Sequence, residues 1–177
     1  MTVRRVLKMG EPLLEQVAAP VERFDAELQA LVRDMDDTMR SLNGAGIAAP
    51  QIGVSLRVVI FEVADNPRYP HVSPVPYTVL VNPQLTPLGS EQAEGWEGCL
   101  SVPGLRGLVP RYTRLRYRGS GLHGEPIERT VEGFHARGVV QHEVDHLDGI
   151  LYPRRIQDLR NFGFEDVLGA RMRPMPD

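Results

Sequence analysis

The feature that most constrains this chain is the segment Gln-His-Glu-Val-Asp-His at residues 141–146. His142 and His146 stand four residues apart, so a helix places both imidazoles on one face, within reach of a single metal ion. Glu143 follows the first histidine, and its carboxylate would project beside that ion, where it can take a proton from a water molecule. The spacing therefore predicts a helix that carries a metal-dependent hydrolytic site.

Apolar residues around this segment support the helix. Its buried side is predicted to hold Phe134, Val139, Val140, Val144 and Leu147. Gly138 inside it costs about 1 kcal/mol relative to alanine, which indicates close packing at that point. Two histidines on a solvated helix face are the alternative, because matches to this pattern also arise by chance.

Two histidines do not complete a metal site, since a catalytic ion needs a third protein ligand and one position open to water. The chain has one cysteine, Cys99, in the segment Glu-Gly-Cys-Leu-Ser. Its thiolate is the natural third ligand, although a free cysteine is often only a small buried apolar residue. One thiolate and two imidazoles suit iron(II) or zinc. A single cysteine also excludes an intramolecular disulfide.

A third motif, Gly-Ala-Gly-Ile-Ala-Ala-Pro-Gln, spans residues 44–51. It is not a phosphate-binding loop, because its glycine spacing differs from that of the dinucleotide motif and no lysine follows. Small residues let a ligand backbone approach closely. The side-chain amide of Gln51 can donate a hydrogen bond to a developing oxyanion. A tight turn leading into a strand is the alternative interpretation.

Length and charge limit the class of protein. The 177 residues fit one domain, 1–177, with a tail from about residue 165 that we expect to be flexible. Acidic residues exceed basic residues by 23 − 20 = 3, which excludes a strongly basic nucleic-acid-binding protein. No apolar run is long enough to span a membrane, and the first ten residues lack the apolar stretch of a signal peptide. We therefore expect a cytoplasmic protein.

The hydrophobic patterns predict an α+β fold, with mixed or antiparallel sheets around the helix of the two histidines and a further helix near the N-terminus. The N-terminal helix is predicted to be capped by Asp25 and to stop at Gly44. A surface loop is predicted at 64–77, which holds four prolines. Strands are predicted at 57–63, at 78–81 (ended by Asn82-Pro83), at 108–118 and at 127–131.

Together the three motifs, at 44–51, 97–101 and 141–149, resemble those of peptide deformylases, in which they occur in the same order. The resemblance extends from Met9 to about Tyr152, and the sequence is similar to those of bacterial members of the family. It implies a metal-dependent hydrolase that removes the N-terminal formyl group from formyl-methionine of newly made polypeptides and releases formate. The implied partners are formylated nascent peptides and the ribosome near its exit tunnel, with no role for DNA or a membrane.

Carried onto this sequence, the resemblance assigns roles to single residues. Glu143 is the general base and then the general acid, while Gln51 and the backbone N–H of Leu100 stabilise the oxyanion. The metal is one divalent ion, naturally iron(II), which zinc, nickel or cobalt often replaces in purified protein. The implied metal ligands are Cys99, His142 and His146. The substrate is implied to bind as an added strand at Ala45, Gly46, Glu97 and Gly98. Because a tight pocket would reject acyl groups longer than formyl, we also expect Ile47, Leu100 and Val139 near it.

Two other functions stay open at this point. A metallopeptidase with the His-Glu-x-x-His pattern takes a third His or Glu ligand downstream of the helix, whereas the only cysteine here lies upstream. A non-catalytic metal-binding protein normally uses four protein ligands, and no fourth is evident. The nearest carboxylates downstream of the motif are Asp148, Asp158 and Glu165.

Two further predictions concern the surroundings of the metal ligands. Glu97 and Arg111 are predicted to pair and to brace the cysteine loop. Because metal-bound histidines usually donate their second N–H to another group, Asp145 or Gln141 is predicted to orient one of them.

Overall fold

The computed structural model describes residues 2–64 and 72–172 of the chain. Within these residues, eight strands and three α-helices follow one another. The helices are α1 (Ala26–Ser41), α2 (Gln141–Leu147) and α3 (Glu165–Leu168). The strands are β1 (Gly46–Ala48), β2 (Val58–Val63), β3 (Val75–Pro87), β4 (Gln92–Cys99), β5 (Val102–Tyr112), β6 (Arg114–Ser120), β7 (Pro126–Glu132) and β8 (Phe162–Phe164). All pairs of neighbouring strands are antiparallel, which confirms the predicted α+β class.

The strands form two sheets, one in the order β1-β2-β3-β6-β7 and one in the order β4-β5-β8. The chain passes from the second sheet to the first at Thr113, between β5 and β6. The prediction of one strand over 108–118 is therefore wrong, because the residues before and after Thr113 pair in different sheets. The alternation in this segment is nevertheless real, since Leu115 and Tyr117 are buried while Arg114 and Arg118 are exposed.

Strand β3 is longer than predicted, because it neither begins nor ends where the prolines indicated. It includes 75–77 of the predicted surface loop and continues past Asn82-Pro83. Asn82 has a φ of +51°, and the pairing with β6 shifts register between Val81 and Gln84. Such a bulge tolerates a proline, since no ladder hydrogen bond is lost there. Of the remaining loop residues, 65–71 lie outside the described residues, while 64 and 72–74 are described and lie outside the strands.

Helix α1 begins where the sequence predicts. The Asp25 carboxylate accepts hydrogen bonds from two backbone N–H groups of the first turn, at 3.0 and 3.2 Å, and thereby caps the helix. The helix ends at Ser41, before the predicted stop at Gly44, because Asn43 already adopts a left-handed φ of +51°. Its apolar side packs against β1 and β2 through Leu28, Val32, Met35 and Met39.

Helix α2 crosses the middle of the molecule and continues directly from a π-helix at His135–Val140. All seven of its residues are buried. A π-helical turn before an α-helix is rare and often occurs at functional sites. A Cβ at Gly138 would lie 2.4 Å from the ring of Phe134, so the predicted close packing is confirmed. The helix packs against β1 and β2, and its apolar residues Val144 and Leu147 belong to the same buried cluster as Val59 of β2.

The C-terminal part of the described chain returns to the smaller sheet. Strand β8 pairs with β5, and α3 follows directly, which the sequence patterns did not predict. Residues 173–177 lie outside the described residues, so the flexibility of the tail stays a prediction. None of the helices in the described part of the chain combines the length and apolar character that a membrane crossing needs.

Candidate metal centre

Three side chains that can bind a metal converge where β4 meets α2. The ligand atoms of Cys99, His142 and His146 all lie within 4.8 Å of one another. Sγ of Cys99 is 3.3 Å from Nε2 of His146. Both histidines are buried, and they meet because they are one turn apart on α2. The cysteine joins them because it ends β4.

This donor set fits one divalent cation. Ligand atoms about 2.0–2.3 Å from a common tetrahedral centre lie about 3.5 Å from one another, close to the separation of Sγ and Nε2. Among residues 2–64 and 72–172, no fourth Cys, His or acidic side chain belongs to the group. A bound ion would therefore keep a position free for water or substrate, as catalytic sites do.

Glu97 orients the first of the two histidines. Its Oε2 accepts a hydrogen bond from Nδ1 of His142 at 2.8 Å, which leaves Nε2 as the ring atom that could bind an ion. The same carboxylate accepts from Nε and Nη2 of Arg111 at 2.7 and 3.0 Å, so the predicted pair is confirmed. Burial alone would raise the pKa of Glu97, but Arg111 and His142 together lower it to about 2. The carboxylate is therefore an anion at every pH at which the protein would work.

Neither Asp145 nor Gln141 accepts a hydrogen bond from a metal-binding histidine, so neither orients one directly as predicted. Gln141 bonds to the backbone N–H and C=O of Tyr112 at 3.2 and 2.9 Å and so ties α2 to β5. Asp145 accepts hydrogen bonds from two arginines instead of a histidine. At His142 the prediction fails because Glu97, on β4, already occupies the position beside Nδ1. At His146 it fails because Nδ1 is buried with no hydrogen-bond partner within the described residues.

Glu143 lies beside the three donors in a space that Gly46 leaves free. A Cβ at Gly46 would come within 2.4 Å of Oε1 of Glu143. Oε2 of Glu143 is buried and has no hydrogen-bond partner within the described residues. Burial raises the pKa of Glu143 to about 7. A carboxyl group with that pKa can both accept and return a proton near neutral pH.

The amide of Gln51 is held at the same place. Its Oε1 accepts from the backbone N–H of Ala48 at 2.8 Å, and its Nε2 donates to Oγ of Ser101 at 3.0 Å. Nε2 also lies 3.5 Å from Sγ of Cys99. The N–H group is thus fixed beside the thiol, where it can reach an oxygen atom of a bound ligand.

A cavity of about 40 Å³ opens at this site, enough for a small polar group or a few water molecules. Glu97 lies behind His142 and is not part of its lining, while Ile47 and Val139 are buried in the core. The predicted site residues that line it are Ala45, Gly46, Gln51, Gly98, Cys99, Leu100, His142 and Glu143.

Sequence reasoning gave no role in this site to Gly138, which lines the cavity, or to Arg106 and Ser101. Arg106 lines the cavity, and its guanidinium fills the space beside Gly98, where a Cβ would lie 2.4 Å from Nη1. It pairs with Glu165 at 3.0 Å, a partner 59 residues away that no local pattern indicates. Ser101, the partner of Gln51, is marked only by its place in the Glu-Gly-Cys-Leu-Ser motif.

Comparison with known proteins connects this geometry to one family. The family model described as polypeptide deformylase matches residues 3–162. Peptide deformylase 1 of Nitrosomonas europaea is 65% identical over 167 residues, 94% of each chain. Peptide deformylase 1 of Bordetella pertussis is 58% identical over 99% of each chain. The Met-Ala-Ser-bound crystal structure of class I type b peptide deformylase from Acinetobacter baumannii is 45% identical, with a TM-score of 0.83 over 88% of this chain and 99% of that chain.

Proposed function

Because this chain belongs to the polypeptide deformylase family and removes the N-terminal formyl group from newly made polypeptides, we propose that Cys99, His142 and His146 bind its catalytic metal ion. The family is metal-dependent. The observation that carries the proposal is the convergence of these three donors within 4.8 Å of one another, beside the buried carboxylate of Glu143.

The proposed ion in the cell is iron(II), with zinc, nickel or cobalt replacing it in purified protein. One thiolate and two imidazoles suit both iron(II) and zinc, so the donor set supports this group of ions. A divalent ion held there supplies a Lewis acid, which polarises the formyl carbonyl and makes water more acidic. The remaining steps belong to side chains and backbone groups of the protein.

Glu143 moves the proton in both halves of the reaction. Its carboxylate accepts a proton from the water molecule that attacks the formyl carbon, and the oxygen of that water forms a new bond to this carbon. The carboxyl group then donates the proton to the departing amine as the amide bond breaks, and formate is released. A pKa of about 7 supports both transfers, because neither protonation state of Glu143 is then strongly disfavoured near neutral pH.

The formyl oxygen gains negative charge as the carbon is attacked, and two donors stabilise it. These are Nε2 of Gln51, which Ala48 and Ser101 hold in place, and the backbone N–H of Leu100. Because the amide is fixed before the substrate binds, no reorganisation is needed in the transition state. Loss of one such donor costs about 2.7–4 kcal/mol in other hydrolases.

The peptide binds as an added strand between two sheet edges. Strands β1 and β4 each stand at the end of their sheet, and both contribute to the cavity. An edge strand offers backbone N–H and C=O groups to an extended peptide. Ala45, Gly46, Glu97 and Gly98 supply these groups, and Ile47 takes part only through its backbone because its side chain is fully buried. The proposed partners are formylated nascent chains and the ribosome near its exit tunnel, in the cytoplasm.

Formate release from formyl-Met-Ala-Ser, measured with anaerobically purified protein and with bound metal counted, tests the proposal. We expect about one metal ion per chain and a rate that falls at least 100-fold in Glu143→Ala. Asp148→Ala is the matched control, since this carboxylate immediately follows the same helix but is 46% exposed and pairs with Arg57. Full activity of Glu143→Ala would contradict the proposed role, and cleavage of unformylated peptides instead would indicate a peptidase.

A further inference from the structure

We infer that Arg155 is a positioning residue for the metal ligand His142, which it reaches through three other charged side chains. Arg155, Asp145, Arg111 and Glu97 form a charge line that begins at the surface and ends at the histidine ring. The inference rests on the proposed function, because it takes His142 as a ligand of the catalytic ion.

The inner half of the charge line fixes the histidine directly. Glu97 accepts from Nδ1 of His142 at 2.8 Å and from two nitrogens of Arg111 at 2.7 and 3.0 Å. The side chains of Glu97 and Arg111 are 3% and 5% exposed, so water hardly competes for these hydrogen bonds. The orientation of the imidazole therefore depends on where Arg111 holds the Glu97 carboxylate.

The outer half holds Arg111. Its third nitrogen, Nη1, donates to Oδ2 of Asp145 at 2.5 Å. Arg155 binds the same carboxylate from the solvent side. Its Nη2 donates to Oδ1 at 2.7 Å, and its Nε donates to Oδ2 at 3.1 Å. The guanidinium thus engages both carboxylate oxygens with parallel donors, a geometry that resists rotation of the acid. Asp145 therefore lies between two arginines, and its carboxylate cannot rotate without breaking a hydrogen bond to one of them.

Arg155 supplies one of the two positive charges that balance the carboxylates of Asp145 and Glu97. The charge line carries two cations and two anions in alternation, so its net charge is zero. Without Arg155, two buried carboxylates share only Arg111, and Asp145 then competes with Glu97 for that guanidinium. A weaker hold on Glu97 leaves the ring of His142 freer to rotate away from the direction that a metal ion requires.

The turn that carries Arg155 contacts the histidine a second time. Arg155 ends a 3₁₀ turn that Tyr152 begins. The ring of Tyr152 stacks on the ring of His142, with centroids 6.1 Å apart and 26° between the planes. Tyr152 therefore restrains the face of the imidazole while the charge line restrains its Nδ1 edge. One short segment after α2 thus acts on the ligand by two routes.

Arg154 offers a matched control at the next position. Its side chain is 55% exposed and pairs with Glu15, which is itself 53% exposed, at 2.8 Å. Its other hydrogen bond goes to the backbone C=O of Gly149 at 3.5 Å. Arg154→Gln therefore removes the same charge and nearly the same volume as Arg155→Gln, without touching the charge line.

The experiment compares metal retention in Arg155→Gln, Arg155→Lys, Arg154→Gln and wild type. Each protein is loaded with cobalt(II), and its loss to a chelator is followed through the sulfur-to-cobalt absorption band. Removing a partner that orients a metal ligand typically lowers metal affinity 10–100-fold. Arg155 acts on His142 only indirectly, so its effect should lie at the lower end of this range. We expect about 10-fold weaker binding in Arg155→Gln, a changed cobalt(II) spectrum and a lower kcat with little change in KM.

The lysine variant separates charge from geometry. Lysine keeps the positive charge but cannot form the two-pronged contact, so Arg155→Lys should fall between wild type and Arg155→Gln. Arg154→Gln should match wild type. Thermal unfolding of the metal-free proteins, measured in parallel, identifies any general loss of stability.

Two results would overturn the inference. One is a wild-type cobalt(II) spectrum and affinity in Arg155→Gln, even with lowered thermal stability, which would make the residue merely structural. The other is equal metal loss in both glutamine variants. Failure of the proposed function looks different, because wild-type protein itself would then lack the sulfur-to-cobalt band or release no formate.

Discussion

Replacing Gly46 with alanine should remove most of the activity and leave the fold intact. Gly46 is buried on β1, and an added Cβ would lie 2.4 Å from Oε1, 2.7 Å from Cδ and 2.8 Å from Cγ of Glu143. Ordinary contacts begin at 3.4 Å, so the carboxylate must retreat by about 3.4 − 2.4 = 1.0 Å. The obstructed atoms belong to a flexible side chain, and the fold can therefore adapt at small cost.

Gly46→Ala should reduce catalysis because the backbone of β1 cannot move, so the side chain of Glu143 must move instead. Gly46 pairs with Phe61 of β2, which fixes the backbone on the side away from the cavity. A misplacement of about 1 Å at a reacting group typically costs 10²-fold in rate. We expect kcat/KM for formate release from formyl-Met-Ala-Ser to fall about 100-fold in Gly46→Ala, or about 2.7 kcal/mol, with metal content unchanged.

Two further proteins make the test specific. Gly163→Ala is the matched control, since a Cβ at this strand glycine meets Leu168 only at 3.6 Å or more and activity should stay at the wild-type value. In a Glu143→Gln background, Gly46→Ala should cause no additional loss, because the carboxylate that it displaces is already gone. A Gly46→Ala enzyme within about twofold of wild type would refute the reasoning.

Three other changes test stability, each by urea unfolding. Arg111→Leu leaves the carboxylates of Glu97 and Asp145 without the cation they share, so we expect a loss of about 3–5 kcal/mol, and a loss below about 1 kcal/mol would contradict the buried network. Asp25→Ala removes the helix cap and should cost about 1 kcal/mol while formate release stays unchanged. Burial lowers the pKa of His135 to about 4, below its value of about 6.5 in the unfolded chain. The unfolded chain therefore binds more protons as the pH falls from 6.5 towards 4, and stability that is present above pH 6.5 is lost. The loss is roughly 1–2 kcal/mol after allowance for partial exposure, and His135→Phe should abolish this part of the pH dependence.

Sequence patterns within single segments correctly predicted helices α1 and α2. The Asp25 cap and the apolar spacing that follows it are properties of one segment, and α1 begins there. The spacing of His142 and His146 likewise depends only on the helix that carries them. Such patterns need no knowledge of the partner segment, which is why they were readable from the sequence.

Signals that depend on pairing between distant segments were not readable. The alternation of Arg114, Leu115, Arg116 and Tyr117 gives no sign that a new strand begins after Thr113, although β5 and β6 belong to different sheets. Asn82-Pro83 has the composition of a strand end, but the register of β6 turns it into a bulge within β3. In both cases the neighbouring strand, and not the local sequence, decides the structure.

The same division applies to the site. Nine of the eleven residues that line the cavity lie in the three motifs, because each motif is a continuous segment, whereas Arg106 and Gly138 lie outside them. The contacts behind them join residues far apart in sequence. Arg111 bonds to Asp145 across 34 positions, and Arg106 bonds to Glu165 across 59 positions. Only the folded chain shows that these charges meet.

X-ray absorption at the zinc edge of zinc-loaded protein tests the central claim most directly. That claim is that Cys99, His142 and His146 hold one ion and leave a position open. It predicts one sulfur at about 2.3 Å, two imidazole nitrogens at about 2.0–2.1 Å and one further light atom that does not come from the protein. Cys99→Ser should lose the sulfur signal. A wild-type spectrum without sulfur, or with four protein ligands around the zinc, would contradict the account.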